Sequence, residues 1–129
     1  MVVKSAFLNG NLEEEVYIEQ PEGFLLINKG DYVCKLKKSL YGLKQAHRAW
    51  YARLDFYLQV EGLKRGSTYN NLYCKIVGNN MIIVEVYVDD IIFGSDDGKL
   101  SKDFARMMQQ EFEMSLLGEL NLFLGLQII

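Results

Sequence analysis

The chain has 129 residues, half of them hydrophobic, with 24% charged and a net charge of −3. That is enough to bury about two-thirds of the surface an unfolded chain exposes, and too apolar for a disordered segment. Uncharged apolar runs such as Met81–Val84 fall far short of the roughly 20 residues of a membrane-spanning helix, and no charged leader precedes a long apolar stretch, so one soluble, cytoplasmic domain with no membrane partner is expected.

Met1–Lys4 is short and apolar, like the end of a strand. Asn9-Gly10-Asn11 signals a turn, followed by the acidic cluster Glu13–Glu15 and the alternating Val16-Tyr17-Ile18. Gln20-Pro21-Glu22-Gly23 breaks the chain again, and Tyr32–Leu36 reads as another short strand. From Leu43 to Glu61 the pattern turns helical: Ala46, Trp50, Leu54 and Tyr57 or Leu58 recur at three- and four-residue steps, and Gly62 follows as a stop. Asn71–Val77 and Met81–Val88 flank Gly78-Asn79-Asn80 as a hairpin, and Asp89-Asp90 leads tightly into Ile91-Ile92-Phe93. Leu100, Phe104, Met107, Met108 and Phe112 form a second helical stripe, read as plain core, and Leu120–Ile129 closes as an apolar strand interrupted by Gly125. Strands and helices interleave with hairpins, so the class is α+β, with helices packed on one face of an antiparallel sheet. No repeat or linker divides the chain, which is treated as one unit.

Cys34 and Cys74 are too few for a disulfide framework and read as small buried hydrophobes; with a single histidine, a zinc site is not expected. Charge is unevenly spread. Residues 1–70 carry ten basic and eight acidic side chains, residues 71–129 four and nine. Between Tyr32 and Leu54 there is no acid, while Lys35, Lys37, Lys38, Lys44, Arg48 and Arg53 are basic. Such a stretch is either a phosphate-contacting surface or a solvated basic face without a partner.

The sharpest local feature is Tyr87-Val88-Asp89-Asp90 between two apolar β runs. Adjacent carboxylates at a hairpin tip repel each other. They are either an ordinary acidic turn or ligands for a hard cation such as Mg²⁺, which takes carboxylate oxygens and keeps waters for a phosphate substrate. Asp96-Asp97-Gly98 lacks the alternating ligands of a calcium loop, and Gly94–Leu100 has neither the spacing nor the hydroxyl of a nucleotide P-loop. His47 has no evident catalytic partner and reads as a surface or phosphate-facing residue.

Five ordered blocks resemble the reverse transcriptase of copia-type LTR retrotransposons. They are Lys4-Ser5-Ala6-Phe7-Leu8-Asn9-Gly10 with Tyr17–Phe24; Leu40–Ala46; Arg48-Ala49-Trp50-Tyr51; Tyr87–Gly94; and Gly118-Glu119-Leu120 followed by Phe123–Ile128. The resemblance implies a polymerase palm, an antiparallel sheet packed with helices, whose acidic hairpin presents ligands to two Mg²⁺ ions for RNA- or DNA-templated DNA synthesis. It makes Asp89 the main metal carboxylate and catalytic residue with Asp90 beside it, and sets Tyr87 and Val88 near the primer end and the nucleotide. By the same likeness Phe7 excludes a ribose 2′-hydroxyl, and Tyr41 and Gly42 open the helix against the incoming deoxynucleotide. Phe123, Leu124 and Gly125 belong to a segment gripping the primer. Lys35, Lys37, Lys38, Lys44 and Arg48 then face the template–primer backbone.

Two departures stand out. Where the family has an Asp bridging both metals, two residues before Lys4, this chain has Val2, a change reachable by one base substitution. Where the family usually has Pro, it has His47. The resemblance therefore implies a partial reverse transcriptase domain over residues 1–129, with fingers, thumb and RNase H partners missing, a doubtful second ion, and no expected activity. The alternatives are a non-catalytic remnant that folds and binds nucleic acid through residues 35–53, and an α+β fold with no partner. In the family, such proteins work in cytoplasmic virus-like particles.

Overall fold

The structure, a computed structural model, describes residues 1–25, 28, 30–123 and 126–127, with the backbone alone at 122, 123 and 126. The chain forms two compact units, one of residues 1–5 and 56–129, the other of residues 6–55. The helix α1 (Ala46–Val60) runs from the second into the first.

The first unit is built on a six-stranded antiparallel sheet. Its strands are β1 (Val2–Val3), β4 (Lys64–Arg65), β5 (Leu72–Val77), β6 (Asn80–Tyr87), β7 (Asp90–Ser95) and β8 (Met114–Ser115), in the order β4-β5-β6-β7-β1-β8. Helix α2 (Gly98–Glu111) follows β7 and contacts it. Alternation decides which side of the sheet is buried. Along β6, Ile82, Val84 and Val86 are buried, while Met81, Ile83, Glu85 and Tyr87 are exposed. This is the period-two pattern of a sheet with one covered face. Ile91, Met108 and Phe112 join the buried set, and Phe93 and Phe104 meet with ring centroids 4.9 Å apart. Tyr57 closes the same core by donating its hydroxyl to the Met107 carbonyl at 3.1 Å and setting its ring edge-on to Phe112 at 5.4 Å.

Asp96 and Asp97, which resembled pieces of ion-binding loops, are structural. The Asp97 carboxylate accepts the Lys99 N–H at 2.9 Å as the N-cap of α2, and Asp96 accepts the Met81 N–H at 2.9 Å.

The second unit holds a short 3₁₀ turn (Ala6–Asn9), the pair β2 (Tyr17–Ile18) and β3 (Cys34–Lys35), and the first ten residues of α1. Ala46, Trp50 and Leu54 are buried, as their spacing predicts. Gly10 is required here: a Cβ on it would sit 2.7 Å from the Ala49 carbonyl carbon and 2.8 Å from the Trp50 nitrogen.

The α+β class and antiparallel sheet are as expected, with local corrections. The helix starts at Ala46, not Leu43, because Gly42 at φ +88 holds the chain in turns, with Leu43 N bonding Leu40 O and Ala46 N bonding Leu43 O. The Gly78 hairpin closes with a two-residue loop, since Asn80 already pairs with Val77. The apolar C-terminal run is two short antiparallel strands, β9 (Leu122–Phe123) and β10 (Leu126–Gln127). Both cysteines are free and half-buried, not core, because each lies in a strand with one incompletely covered face. No described helix is long and apolar enough to cross a membrane.

Candidate active site

Two tight hairpins follow one another in the first unit, and their comparison exposes the site. In the first, Val77 pairs with Asn80 around Gly78-Asn79; in the second, Tyr87 pairs with Asp90 around Val88-Asp89. In both, the first loop residue has positive φ, +62 at Gly78 and +57 at Val88, and the second does not. Positive φ at the first loop residue alone is the signature of a type II′ turn, where glycine is the expected occupant. Val88 is β-branched, so the same turn there is strained, at a cost on the order of 1–3 kcal/mol. That strain sits directly beside the two carboxylates.

Asp89 and Asp90 are both half-buried, and Tyr87 beside them is 48% exposed. Strand β1 runs antiparallel to β7. Met1 and Ile91 exchange both main-chain hydrogen bonds, Met1 N to Ile91 O at 2.9 Å and Ile91 N to Met1 O at 2.8 Å. Val3 N donates to Asp89 O at 2.9 Å. Val2 and Asp90, paired between these rungs, are therefore a non-hydrogen-bonded pair, the class in which facing side chains approach most closely. Tyr87, Asp90, Val2 and Ser115 fall in register across β6, β7, β1 and β8, so their side chains share one face of the sheet. The position where the resemblance expects a third carboxylate thus lies opposite Asp90 and holds an isopropyl group. No group of three or more His, Cys, Asp or Glu residues able to hold a metal exists among the described residues. Burial holds the Met1 amino group below its ordinary value, and the charge of Asp90 partly offsets this.

The second unit gathers three of the other candidates. The half-buried Phe7 ring lies 4.9 Å from Tyr41, which is 58% exposed, and 4.6 Å from His47, which meets it edge-on. Gly42 sits in the turn ahead of α1 and does not open the helix itself. His47 is the second residue of α1, in the first turn where a proline would be accommodated. Sequence reasoning missed Ser39, a fully buried residue whose hydroxyl donates to the Phe7 carbonyl while its N–H bonds Gly10 O at 3.0 Å. A lone serine between Lys38 and Leu40 carries no signal of that role.

The basic candidates Lys35, Lys37, Lys38, Lys44 and Arg48 are all exposed. Two are engaged within the chain: Lys35 pairs with Glu15, and Arg48 with Glu14 at 3.5 Å. The window without acids in sequence is not without them in space. Leu124 and Gly125 lie outside the described residues, as does the Phe123 side chain.

Residues 1–129 match the family described as reverse transcriptase (RNA-dependent DNA polymerase). Over 98% of its length the chain is 45% identical to the retrovirus-related Pol polyprotein from transposon TNT 1-94 of Nicotiana tabacum. Over 97% it is 41% identical to that from transposon RE2 of Arabidopsis thaliana. It spans 10% and 9% of those two proteins. It is also 34% identical to the putative transposon Ty5-1 protein of Saccharomyces cerevisiae, over 99% of this chain and 42% of that protein. No solved structure matches it. The strained acidic hairpin, the antiparallel sheet behind it and a match from first residue to last together make the chain a member of the reverse transcriptase family carried by copia-type retrotransposon Pol polyproteins.

Proposed function

We propose that this chain is the palm portion of a retrotransposon reverse transcriptase in which DNA synthesis is silenced at position 2. The observation that supports it is the register of Val2 against Asp90, which leaves an apolar side chain where a third carboxylate would face the acidic hairpin. Mg²⁺ is the ion that the family's chemistry needs, to activate a primer hydroxyl and offset phosphate charge. Asp89 and Asp90 offer oxygen donors suited to one such ion, with water completing its shell. They do not suffice for two, so two-ion nucleotidyl transfer has no support in this donor set. The strained Val88 turn, retained beside the carboxylates, agrees with descent from a working site, because strain of this kind clusters where function once required it. By the same reading the partners are template–primer nucleic acid, deoxynucleotides and the rest of a Pol polyprotein. Primer extension with Mg²⁺ tests the proposal: the purified chain is expected to yield no product. Extension that disappears on Asp89→Asn would overturn it.

A second reading, nucleic-acid binding without catalysis, is favoured by Lys37, Lys38 and Lys44. These are exposed and make no ion pair among the described residues. Binding that weakens steeply with salt, and further on neutralising these lysines, is its expected signature.

A further inference from the structure

Two acids that reach the basic stretch, Glu14 and Glu15, come from one place. Two backbone segments of the second unit run antiparallel: Asn11 bridges Lys38, Leu12 N donates to Lys37 O at 3.3 Å, Leu36 N donates to Val16 O at 2.8 Å, and Tyr17 pairs with Lys35. On one side, Leu36 and Lys37 are consecutive. On the other, Glu13, Glu14 and Glu15 are inserted between Leu12 and Val16, so the three glutamates form a bulge on an otherwise continuous ribbon. All three are exposed. The bulge puts Glu15 on Lys35, where the Tyr17 hydroxyl also donates to it at 3.0 Å, and Glu14 on Arg48 of α1. A bulge is a way to re-aim side chains from a paired strand. Here it aims carboxylates at cations that lie twenty and thirty-four residues away in sequence.

We propose that the Glu13–Glu15 bulge is a built-in competitor for the basic face: it occupies Lys35 and Arg48, which a nucleic-acid backbone must win from it, while Lys37, Lys38 and Lys44 remain available for first contact. This rests on the nucleic-acid-binding reading above and specifies its surface and its brake. Charge balance supports it. Residues 6–55 carry seven basic and seven acidic side chains, so the unit has no net charge with which to attract a polyanion. Binding depends on a local patch, and what covers that patch governs it. The carboxylates stand in for phosphate oxygens, one on each cation. Both pairs are exposed, with side chains about half or more accessible except Glu14 at 46%, and exposed pairs exchange partners at little cost.

The test is fluorescence anisotropy of a labelled oligodeoxythymidylate with the full chain, between about 50 and 200 mM KCl, the range where phosphate contacts are most salt-sensitive. Wild type is compared with Glu14→Gln/Glu15→Gln and with Glu19→Gln/Glu22→Gln. The last pair makes the same net-charge change on exposed acids outside the bulge. Each cation released to phosphate steepens the log–log salt slope on a single strand by about 0.7, and removing its exposed carboxylate partner returns at most what the pair is worth, about 1.5- to 5-fold in affinity. With two such pairs the bulge variant is expected to tighten roughly 2- to 25-fold at 50 mM with a steeper slope, while the Glu19/Glu22 variant gains little. Tightening of the two variants by the same factor would overturn the bulge as a competitor while leaving nucleic-acid binding intact. Salt-dependent binding unchanged in both would do the same. Absence of salt-dependent binding in all three proteins would overturn the inference together with the reading beneath it. The single variants Glu14→Gln and Glu15→Gln apportion the effect between Arg48 and Lys35.

Discussion

Restoring a carboxylate at position 2 is the most direct probe of the hairpin. Val2 and Asp90 are a non-hydrogen-bonded cross-strand pair, so a Val2→Asp side chain would face Asp90 with Cβ atoms about 5 Å apart. Two charges at that distance repel by about 0.8 kcal/mol at the dielectric of water and about 3 kcal/mol at the effective value near a protein surface. Without metal, Val2→Asp is therefore expected to be less stable than wild type by about 1–3 kcal/mol, with Val2→Asn losing less because it carries no charge. At about 4 °C per kcal/mol for a chain of this length, the Tm falls by roughly 4–12 °C. The same pairing sets a carboxylate at position 2 opposite Asp90, next to Asp89 in the chain, and a divalent ion held there then offsets the loss: at ten times its Kd it returns about 1.4 kcal/mol, or roughly 5 °C. Thermal unfolding in EDTA and in MgCl₂ or MnCl₂ reads both effects. If Val2→Asp gains no more from metal than Val2→Asn, the three positions do not form a site. If Val2→Asp is as stable as Val2→Asn in EDTA, position 2 does not face Asp90.

Three further outcomes follow from particular contacts. Val88→Gly copies the first hairpin's Gly78 and removes strain of about 1–3 kcal/mol against a glycine cost of about 0.5–1 kcal/mol, so urea unfolding is expected to show a net gain near 1 kcal/mol; a loss would mean that the valine side chain contributes more than its backbone costs. Gly10→Ala places a methyl against the backbone of Ala49 and Trp50, which cannot step aside as a side chain can, and is expected to cost about 1–3 kcal/mol in the same assay. Lys35 foremost, and then the Tyr17 hydroxyl, hold the Glu15 carboxyl below its ordinary value. Its depressed folded-state value means that its contribution to stability is present above pH 4.5 and is lost as pH falls through the lower folded value. A carboxyl NMR titration is expected to show Glu15 titrating below the ordinary glutamate value, and Lys35→Ala to move it back up.

The elements that the sequence makes legible are those whose signal is local and periodic. Ala46, Trp50, Leu54 and Leu58 lie at helical spacing and are all buried; Ile82, Val84 and Val86 alternate along β6 and are all buried. The acidic hairpin is legible one residue out: the apolar run Met81–Val88 puts its tip at Asp89-Asp90, whereas Tyr87 pairs with Asp90 and the turn is Val88-Asp89, because a positive φ at Val88 takes it out of the strand. Legibility ends where long-range pairing decides. Lys64–Arg65 and Met114–Ser115 are strands only because β5 and β1 provide neighbours for them, and two residues carry no period of their own. Ser39 is fixed by carbonyls of Phe7 and Gly10, some thirty residues earlier. The acid-free window between Tyr32 and Leu54 misled for the same reason: charge counted along the chain ignores a bulge that returns Glu14 and Glu15 to it.

On the function proposed above, position 2 is where fold and function come apart. A β-branched valine is well suited to a strand, and its half-buried side chain replaces a carboxylate that would face Asp90 across about 5 Å. Losing the acid thus removes a repulsion and leaves the ladder of Met1, Val3, Asp89 and Ile91 intact. Val88 is the opposite case: its left-handed backbone carries strain at a position where the hairpin before it uses glycine. Selection for stability alone would favour the first change and also remove the second cost. The chain has only the first. On the function proposed above, the hairpin keeps the strained turn without a third charge beside it, which is the combination expected when a catalytic constraint is lifted by a single substitution and stability has not since been optimised.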